Sequence, residues 1–185
     1  MTQKNKKFNL DLQRFCELKV SYFKKLRLIL FNPLIKAFYF GRLAERKKGI
    51  LHRFCVFRSK RIFLKYGTEI ISFKNIGSGL LLVHPYNITI NSRSQIGENL
   101  TIFKGATIGS IRSGPRKGTP KIGNRVTICA NAFVCGNVSI GDDVLIAANS
   151  FVNFDVPPNS IVIGNPGVIH KKNNPSCDYL LKEEV

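Results

Sequence analysis

Every sixth residue from Ile122 to Val152 is aliphatic and β-branched: Ile122, Ile128, Val134, Ile140, Ile146 and Val152. A second set, four places on from each, is small or β-branched: Val126, Ala132, Val138, Val144, Ser150 and Val156. A strand repeats every two residues and an α-helix every 3.6, so a period of six belongs to neither alone. It fits a chain that runs straight for two or three residues, turns, and repeats, each hexapeptide making one side of a coil. Six-residue repeats are the signature of a parallel β-helix, and three sides take about 18 residues per coil. Each Ile or Val at the repeat position points into the prism and stacks on its counterpart one coil away. The Gly, Asn or Asp that follows supplies the corner, because these residues tolerate left-handed backbone angles.

The register runs backward through Ile108, Ile102, Ile96 and Ile90, and again through Leu82 and Ile76. It breaks twice. Leu82 to Ile90 is eight residues, across "VHPYN", and Ile108 to Ile122 is fourteen, across "SIRSGPRKGTP". Repeat proteins place insertions in loops on one face, often the binding face. Chemistry is therefore expected at these two breaks.

The front of the chain differs in pattern and charge. Residues 1–66 hold 18 Lys/Arg against 3 Asp/Glu, a net +15, whereas residues 67–185 hold 11 against 8, a net +3. Leu10, Phe15, Leu18, Tyr22, Leu26 and Ile29 recur at helical intervals with Lys and Arg between them. Pro33 divides this region or starts a second helix at about Asn32. The organisation expected is a basic helical region over 1–66, repeats over 67–172 and a C-terminal tail over 173–185. The most apolar run, "LRLILFNPLIKAFYF", carries Arg27, Asn32, Pro33 and Lys36 and is too short to span a bilayer. No small-residue cleavage site follows it, so it does not read as a signal peptide. Five cysteines with no C-x-x-C pair argue against a disulfide scaffold or zinc site and for a reducing, cytoplasmic setting.

Three partners suit a basic front end: the first coil, which it would cap; an anionic membrane surface; or nucleic acid. No recognisable nucleic-acid module is present, and that reading ranks last.

"IGENLTIFKGATIG" and "NVSIGDDVLIAANSFVNFDVPPNSIVIGNPGVI" resemble the hexapeptide-repeat acyltransferases, above all the serine O-acetyltransferases and the related acetyltransferases of polysaccharide clusters. The likeness covers roughly Thr68 to Lys172. It implies a left-handed parallel β-helix, mainly β with the helical region in front, working as a homotrimer with acetyl-CoA and no metal. It places the catalytic histidine at His84 and its carboxylate partner at Glu69, where the family usually has aspartate. Chemically, one imidazole suffices to take a hydroxyl proton as the oxygen attacks a thioester. A carboxylate on the other ring nitrogen fixes its tautomer.

The same likeness assigns Ala130 and Ala148 to the pantetheine arm of coenzyme A. Backbone at Gly109 or Ser110 is the candidate oxyanion donor. Arg112, Arg116, Lys117 and Lys121 are candidates for its phosphates. Tyr86, Asn87 and Thr119 are the candidates for the acceptor side. The chain departs from serine acetyltransferases in two places. Gly118 and Thr119 stand where an Arg-His pair is usual, and Val83 stands where an aspartate precedes the first histidine. Those groups handle serine's charged ends, so the expected acceptor is a sugar hydroxyl of a surface polysaccharide, with L-serine as the alternative. An acyl-carrier-protein-dependent sugar acyltransferase and a non-catalytic module that binds a membrane or partner are further alternatives. A hexapeptide-repeat carbonic anhydrase would need several histidine ligands, and of His52, His84 and His170 only His84 falls within the repeats. A lipid-linked glycan acceptor would place the enzyme at the inner face of the membrane.

Overall fold

The computed structural model describes residues 6–17 and 20–179. Four helices lead: α1 (Lys6–Cys16), α2 (Tyr22–Phe31), α3 (Pro33–Ala44) and α4 (Gly49–Leu64). Asn32 ends α2 and caps α3, its side chain accepting from the Ile35 N–H at 3.1 Å, and Pro33 opens α3 where a missing N–H costs nothing. Residues 10, 15, 22, 26 and 29 do not form one inward stripe. Glu17 takes a left-handed φ of 55°, and α2 restarts on the Ser21 cap, so the phase is lost between the two helices. Phe8 and Leu12 become the buried pair of α1, while Tyr22 and Leu26 lie exposed. Leu18 lies outside the described residues, as do residues 180–185 of the C-terminal tail.

From Glu69 the chain winds into a left-handed parallel β-helix of three faces. The first face carries Glu69–Ile70, Thr89–Ile90, Thr107–Gly109, Phe133–Cys135 and Phe151–Val152, all parallel. The second carries Gln95–Ile96, Lys121–Ile122 and Ser139–Ile140, extended by bridges from Ile76 and Val156. The third carries Leu81–Val83, Thr101–Phe103, Thr127–Ile128, Val144–Ile146 and Ser160–Ile163, closed by the antiparallel strand Val168–Lys171.

Register confirms the hexad ladder. Ile90 pairs with Ile108, Ile108 with Val134 and Val134 with Val152 on the first face. Leu82, Ile102, Ile128, Ile146 and Val162 pair in sequence on the third. All these side chains are buried, each worth about 1.5–3 kcal/mol relative to exposure. The positions four residues on, Val126, Ala132, Val138, Val144 and Ser150, fill the corners of the same core. Asn87, Gly105, Asn131 and Asn149 stack at the corner leading from the third face to the first, all with φ between 55° and 71°. Close stacking also forces glycine: a Cβ added at Gly97 would lie 2.7 Å from the Gly123 carbonyl.

The helices cap the first coil through a buried charge cluster. Arg42 donates to Asp11 at 2.7 and 3.1 Å, to Glu45 at 2.9 Å, and to the carbonyls of Ile76 and Gly77 at 2.8 and 2.6 Å. Asp11 also accepts the Leu80 N–H at 2.8 Å. Burial works against the Arg42 charge, but Asp11 and Glu45 outweigh it and hold its pKa above the ordinary value. Phe38, Phe63 and Phe73 join the helices to the prism in one continuous apolar core.

Candidate active site

The two breaks in the period land on two different edges of the prism. The "VHPYN" break widens the first-coil corner between the third face and the first. His84 sits there with φ 49°, its side chain exposed. Hydrogen bonds on both sides hold this corner. The Thr68 hydroxyl donates to the Pro85 carbonyl at 2.6 Å, and the Asn87 N–H to the Tyr66 carbonyl at 2.9 Å. From the next coil, Lys104 N–H donates to Val83 and Gly105 N–H to Tyr86 at 3.1 and 2.9 Å. The corner is rigid, and it displays the imidazole outward. Tyr86 is exposed beside it and meets Tyr66 edge-on at 5.5 Å.

Farther along the same edge stand Ala130 and Ala148, at the third and fourth corners. Successive coils are about 4.8 Å apart, which puts them about 10 and 14 Å from the His84 corner. The Asn149 N–H donates to the Ala130 carbonyl at 3.0 Å, and the Asn131 amide to Asn149 at 3.3 Å. His84, Tyr86, Asn87, Ala130 and Ala148 thus line one edge, with no bulky side chain at either alanine.

Glu69 opens the first face, and its side chain is exposed. The Thr68–Pro85 bond ties the residue before it to the residue after His84. Among the described residues, however, no hydrogen bond or ion pair joins the Glu69 carboxylate to the His84 ring. In the single chain both side chains are exposed, Glu69 at the start of the first face in register with Thr89, the strand into which the His84 corner leads.

The remaining candidates occupy the other edge of the first face. Gly109 ends a strand there, and Ser110 leads into the inserted loop. The loop is a small hairpin: Ile111 and Gly118 exchange backbone hydrogen bonds at 3.0 Å. It leans toward the later coils. Arg116 accepts the Asn137 N–H through its carbonyl at 2.9 Å and reaches Asp155 with its guanidinium at 3.4 Å. Asp155 in turn accepts the Ser139 N–H at 2.8 Å. That backbone bond, helped by Arg116, holds the Asp155 carboxyl below its ordinary pKa. Arg112 and Lys117 are exposed on the loop. The Thr119 hydroxyl donates to the Arg93 carbonyl at 3.3 Å. Lys121 projects from the second face, in register with Gln95 and Ser139. One chain does not bring these groups to the His84 edge; the first face separates them.

Asp155 and the Arg116–Asn137 tether were not singled out from the sequence. The spacing places Val156 in the corner set, but in the structure it bridges Ile140 on the second face instead, so Asp155 sits on a tightened corner. Cys129 and Cys135 are free thiols raised by burial, which makes them poor nucleophiles near neutral pH.

Residues 119–153 match the bacterial transferase hexapeptide (six repeats) family. A serine acetyltransferase of Staphylococcus xylosus is 38% identical over 131 residues, covering 71% of this chain and 59% of that protein. The serine acetyltransferase of Neisseria gonorrhoeae, solved in complex with serine, superposes with a TM-score of 0.71 at 30% identity, covering 91% of this chain and 69% of that one. The chain belongs to the serine acetyltransferase group of hexapeptide-repeat transferases. A Brucella abortus serine acetyltransferase solved with coenzyme A is a further member of similar fold, with TM-score 0.71, 27% identity, and coverage of 90% of this chain and 67% of that one. The chain spans 59% of the length of the Staphylococcus protein.

Proposed function

We propose that the chain transfers acetyl from acetyl-CoA to a hydroxyl, with His84 as general base and L-serine as the leading acceptor. The carrying observation is the edge itself, where a rigid corner presents an exposed imidazole in line with the small-residue corners at Ala130 and Ala148. The relatives favour serine over the sugar acceptor expected from sequence, since the similar proteins described above are serine acetyltransferases.

In the reaction, the acceptor oxygen attacks the thioester carbonyl as the imidazole takes its proton. Backbone N–H donors stabilise the tetrahedral oxyanion, with Gly109 and Ser110 the candidates. Collapse breaks the C–S bond, and the imidazolium returns its proton to the departing sulfur. The products are an acetyl ester and free coenzyme A.

A homotrimer belongs to this reading. His84 lies on one edge and Gly109, Ser110 and the 110–118 loop on the other, so a prism beside a second prism would supply both halves of a site. The reaction is assigned to the cytoplasm, where a reducing environment suits the free cysteines.

A sugar hydroxyl is the second reading. It is favoured by Gly118 and Thr119 standing where the group usually places Arg-His, with the Thr119 hydroxyl engaged by the Arg93 carbonyl. Thiol release from acetyl-CoA with L-serine, and with hexose and hexosamine acceptors, separates the readings. Turnover of serine above the sugars supports the first, and turnover of sugars alone replaces it with the second. No thiol release with any acceptor would overturn both.

A further inference from the structure

We infer that α2 and α4 form a docking surface for an anionic lipid bilayer. Helix α4 is two-faced. Cys55, Ser59 and Phe63 turn inward, while Ile50, Phe54, Phe57 and Leu64 follow the helical period along the opposite side and are exposed. Ile50 keeps 82% of its surface in solvent. Helix α2 has no buried residue, and Tyr22, Leu26 and Leu30 form a second outward stripe beside Phe23, itself 81% exposed. Both helices pack on α3, which lies between them. Exposed apolar surface this concentrated marks an interaction site rather than the scatter common on soluble proteins.

Charge identifies the partner. Neither helix contains an acidic residue, whereas Lys24, Arg27, Arg53, Lys60 and Arg61 are exposed among the apolar groups. Of the three acids in residues 1–66, Asp11 and Glu45 are turned toward Arg42, and Glu17 lies between α1 and α2. The outward faces therefore combine cations with aliphatic and aromatic side chains and no compensating anion. That is the composition of a helix lying in the plane of an anionic membrane interface. A second copy of the same face would set cation against cation. Nucleic acid would meet the cations but leave Ile50, Leu64, Leu26 and Leu30 without a partner. No helix among the described residues is long and apolar enough to cross a membrane, so the contact is in-plane.

Docking does not rest on the acetyl-transfer reading, because vesicle binding needs neither acetyl-CoA nor an acceptor. The test uses the full chain and phosphatidylcholine vesicles with and without phosphatidylglycerol, scored by co-sedimentation. Capture by the anionic vesicles is expected to be roughly tenfold or more stronger than by phosphatidylcholine alone, and to fall as salt rises. The double substitution Phe54→Ser with Phe57→Ser should weaken capture roughly tenfold or more, and Arg53→Glu with Lys60→Glu should do the same through charge. Both pairs change side chains on the outer surface, Phe54 also meeting Phe40 edge-on at 6.2 Å, so the melting temperature serves as the folding control. Undiminished capture of both variants overturns the inference. So does an absence of wild-type capture, whether accompanied by an oligomer that dissociates on Phe54→Ser/Phe57→Ser, which would give the face to a second copy, or by RNA binding that survives that change.

Discussion

Ile128 and Phe54 are both large apolar side chains on regular secondary structure, yet Ile128 has no exposed surface and Phe54 keeps 53% of its own. The difference follows from how each region closes on itself. A coil of three short strands encloses its own core: every hexad position faces its counterparts on two other sides, and the corners are filled by residues such as Ala132 and Val138. A helix has a continuous circumference and can hand only one stripe to the prism. On α4 that stripe is Cys55, Ser59 and Phe63, and the apolar residues on the far side are left for something else. On the two proposals made above, chemistry and location are divided between the halves, with His84 on the coils and the cationic apolar face on the helices.

The sharpest way to break this division is to cut each half separately. His84→Ala should lower kcat by roughly 10²–10⁴-fold while leaving vesicle capture, coenzyme A binding and the melting temperature unchanged, because the corner is held by the Thr68, Tyr66 and Lys104 hydrogen bonds rather than by the ring. Phe54→Ser with Phe57→Ser should do the reverse in solution, leaving kcat intact. Steady-state kinetics alongside co-sedimentation checks both. A folded His84→Ala protein with wild-type turnover would remove His84 as the base.

The junction between the halves carries the next effect. Asp11 and Arg42 are both almost fully buried, and Arg42 also satisfies the Ile76 and Gly77 carbonyls of the first coil. Arg42→Ala would leave the Asp11 carboxylate buried without its partner, at a cost of about 3–5 kcal/mol. Urea unfolding of the two proteins measures it. A loss below about 1 kcal/mol would mean that the helices sit on the prism by apolar contact alone.

Substituting the two side chains compared at the outset comes third. Ile128→Ala removes atoms from a ladder packed between Ile102 and Ile146 and should cost about 2–5 kcal/mol. Phe54→Ala removes a half-exposed side chain that meets Phe40 edge-on at 6.2 Å and should cost only about 0.5–1.5 kcal/mol in the absence of membrane. Equal costs would show that Phe54 is already covered in the protein's own assembly.

These contrasts also explain what was legible in the sequence. The prism could be followed residue by residue, because burial repeats every six positions and each Ile or Val reports its own orientation; even the two interruptions, at His84 and in the 110–118 loop, appear as arithmetic errors in the period. The helices were readable as helices but not in facing. Leu26 and Ile29 look equally inward by spacing, yet a break at Glu17 and Ser21 rotates α2 so that Ile29 packs on the core and Leu26 faces out. The site was half legible. His84 drew attention by its place at a break in the period and Ala130 only by resemblance to the acyltransferases, but nothing along the chain says that Gly109 lies across a face from them, or that Glu69 makes no bond to the imidazole. Those are facts of three-dimensional distance between coils. Arg116, a candidate for the phosphates, also reaches Asp155, which its place in the chain did not announce.

That last pair gives the smallest effect and a test of how the coil half holds its one long loop. Ser139 N–H and Arg116 both reach Asp155, at 2.8 and 3.4 Å, and the carboxylate is largely exposed. An exposed ion pair is screened and contributes little to global stability, so Asp155→Asn should leave the melting temperature nearly unchanged. Its influence is local, because the Asp155 link and the Arg116–Asn137 bond together tie the loop across two coils. The substitution should speed hydrogen exchange at the Ser139 and Asn137 amides and nick the loop faster with trypsin at Arg116 or Lys117. The sign with pH follows from the lowered pKa: the carboxylate's contribution is present in full above its unfolded value of 3.8 and is lost as pH falls through the lower folded value. Wild-type protection should therefore hold at neutral pH and decline only in acid below about pH 4, whereas the Asn variant should show no such step. Equal exchange in both proteins would place the loop's order in its own Ile111–Gly118 hairpin, and Asp155 would then serve only the Ser139 corner.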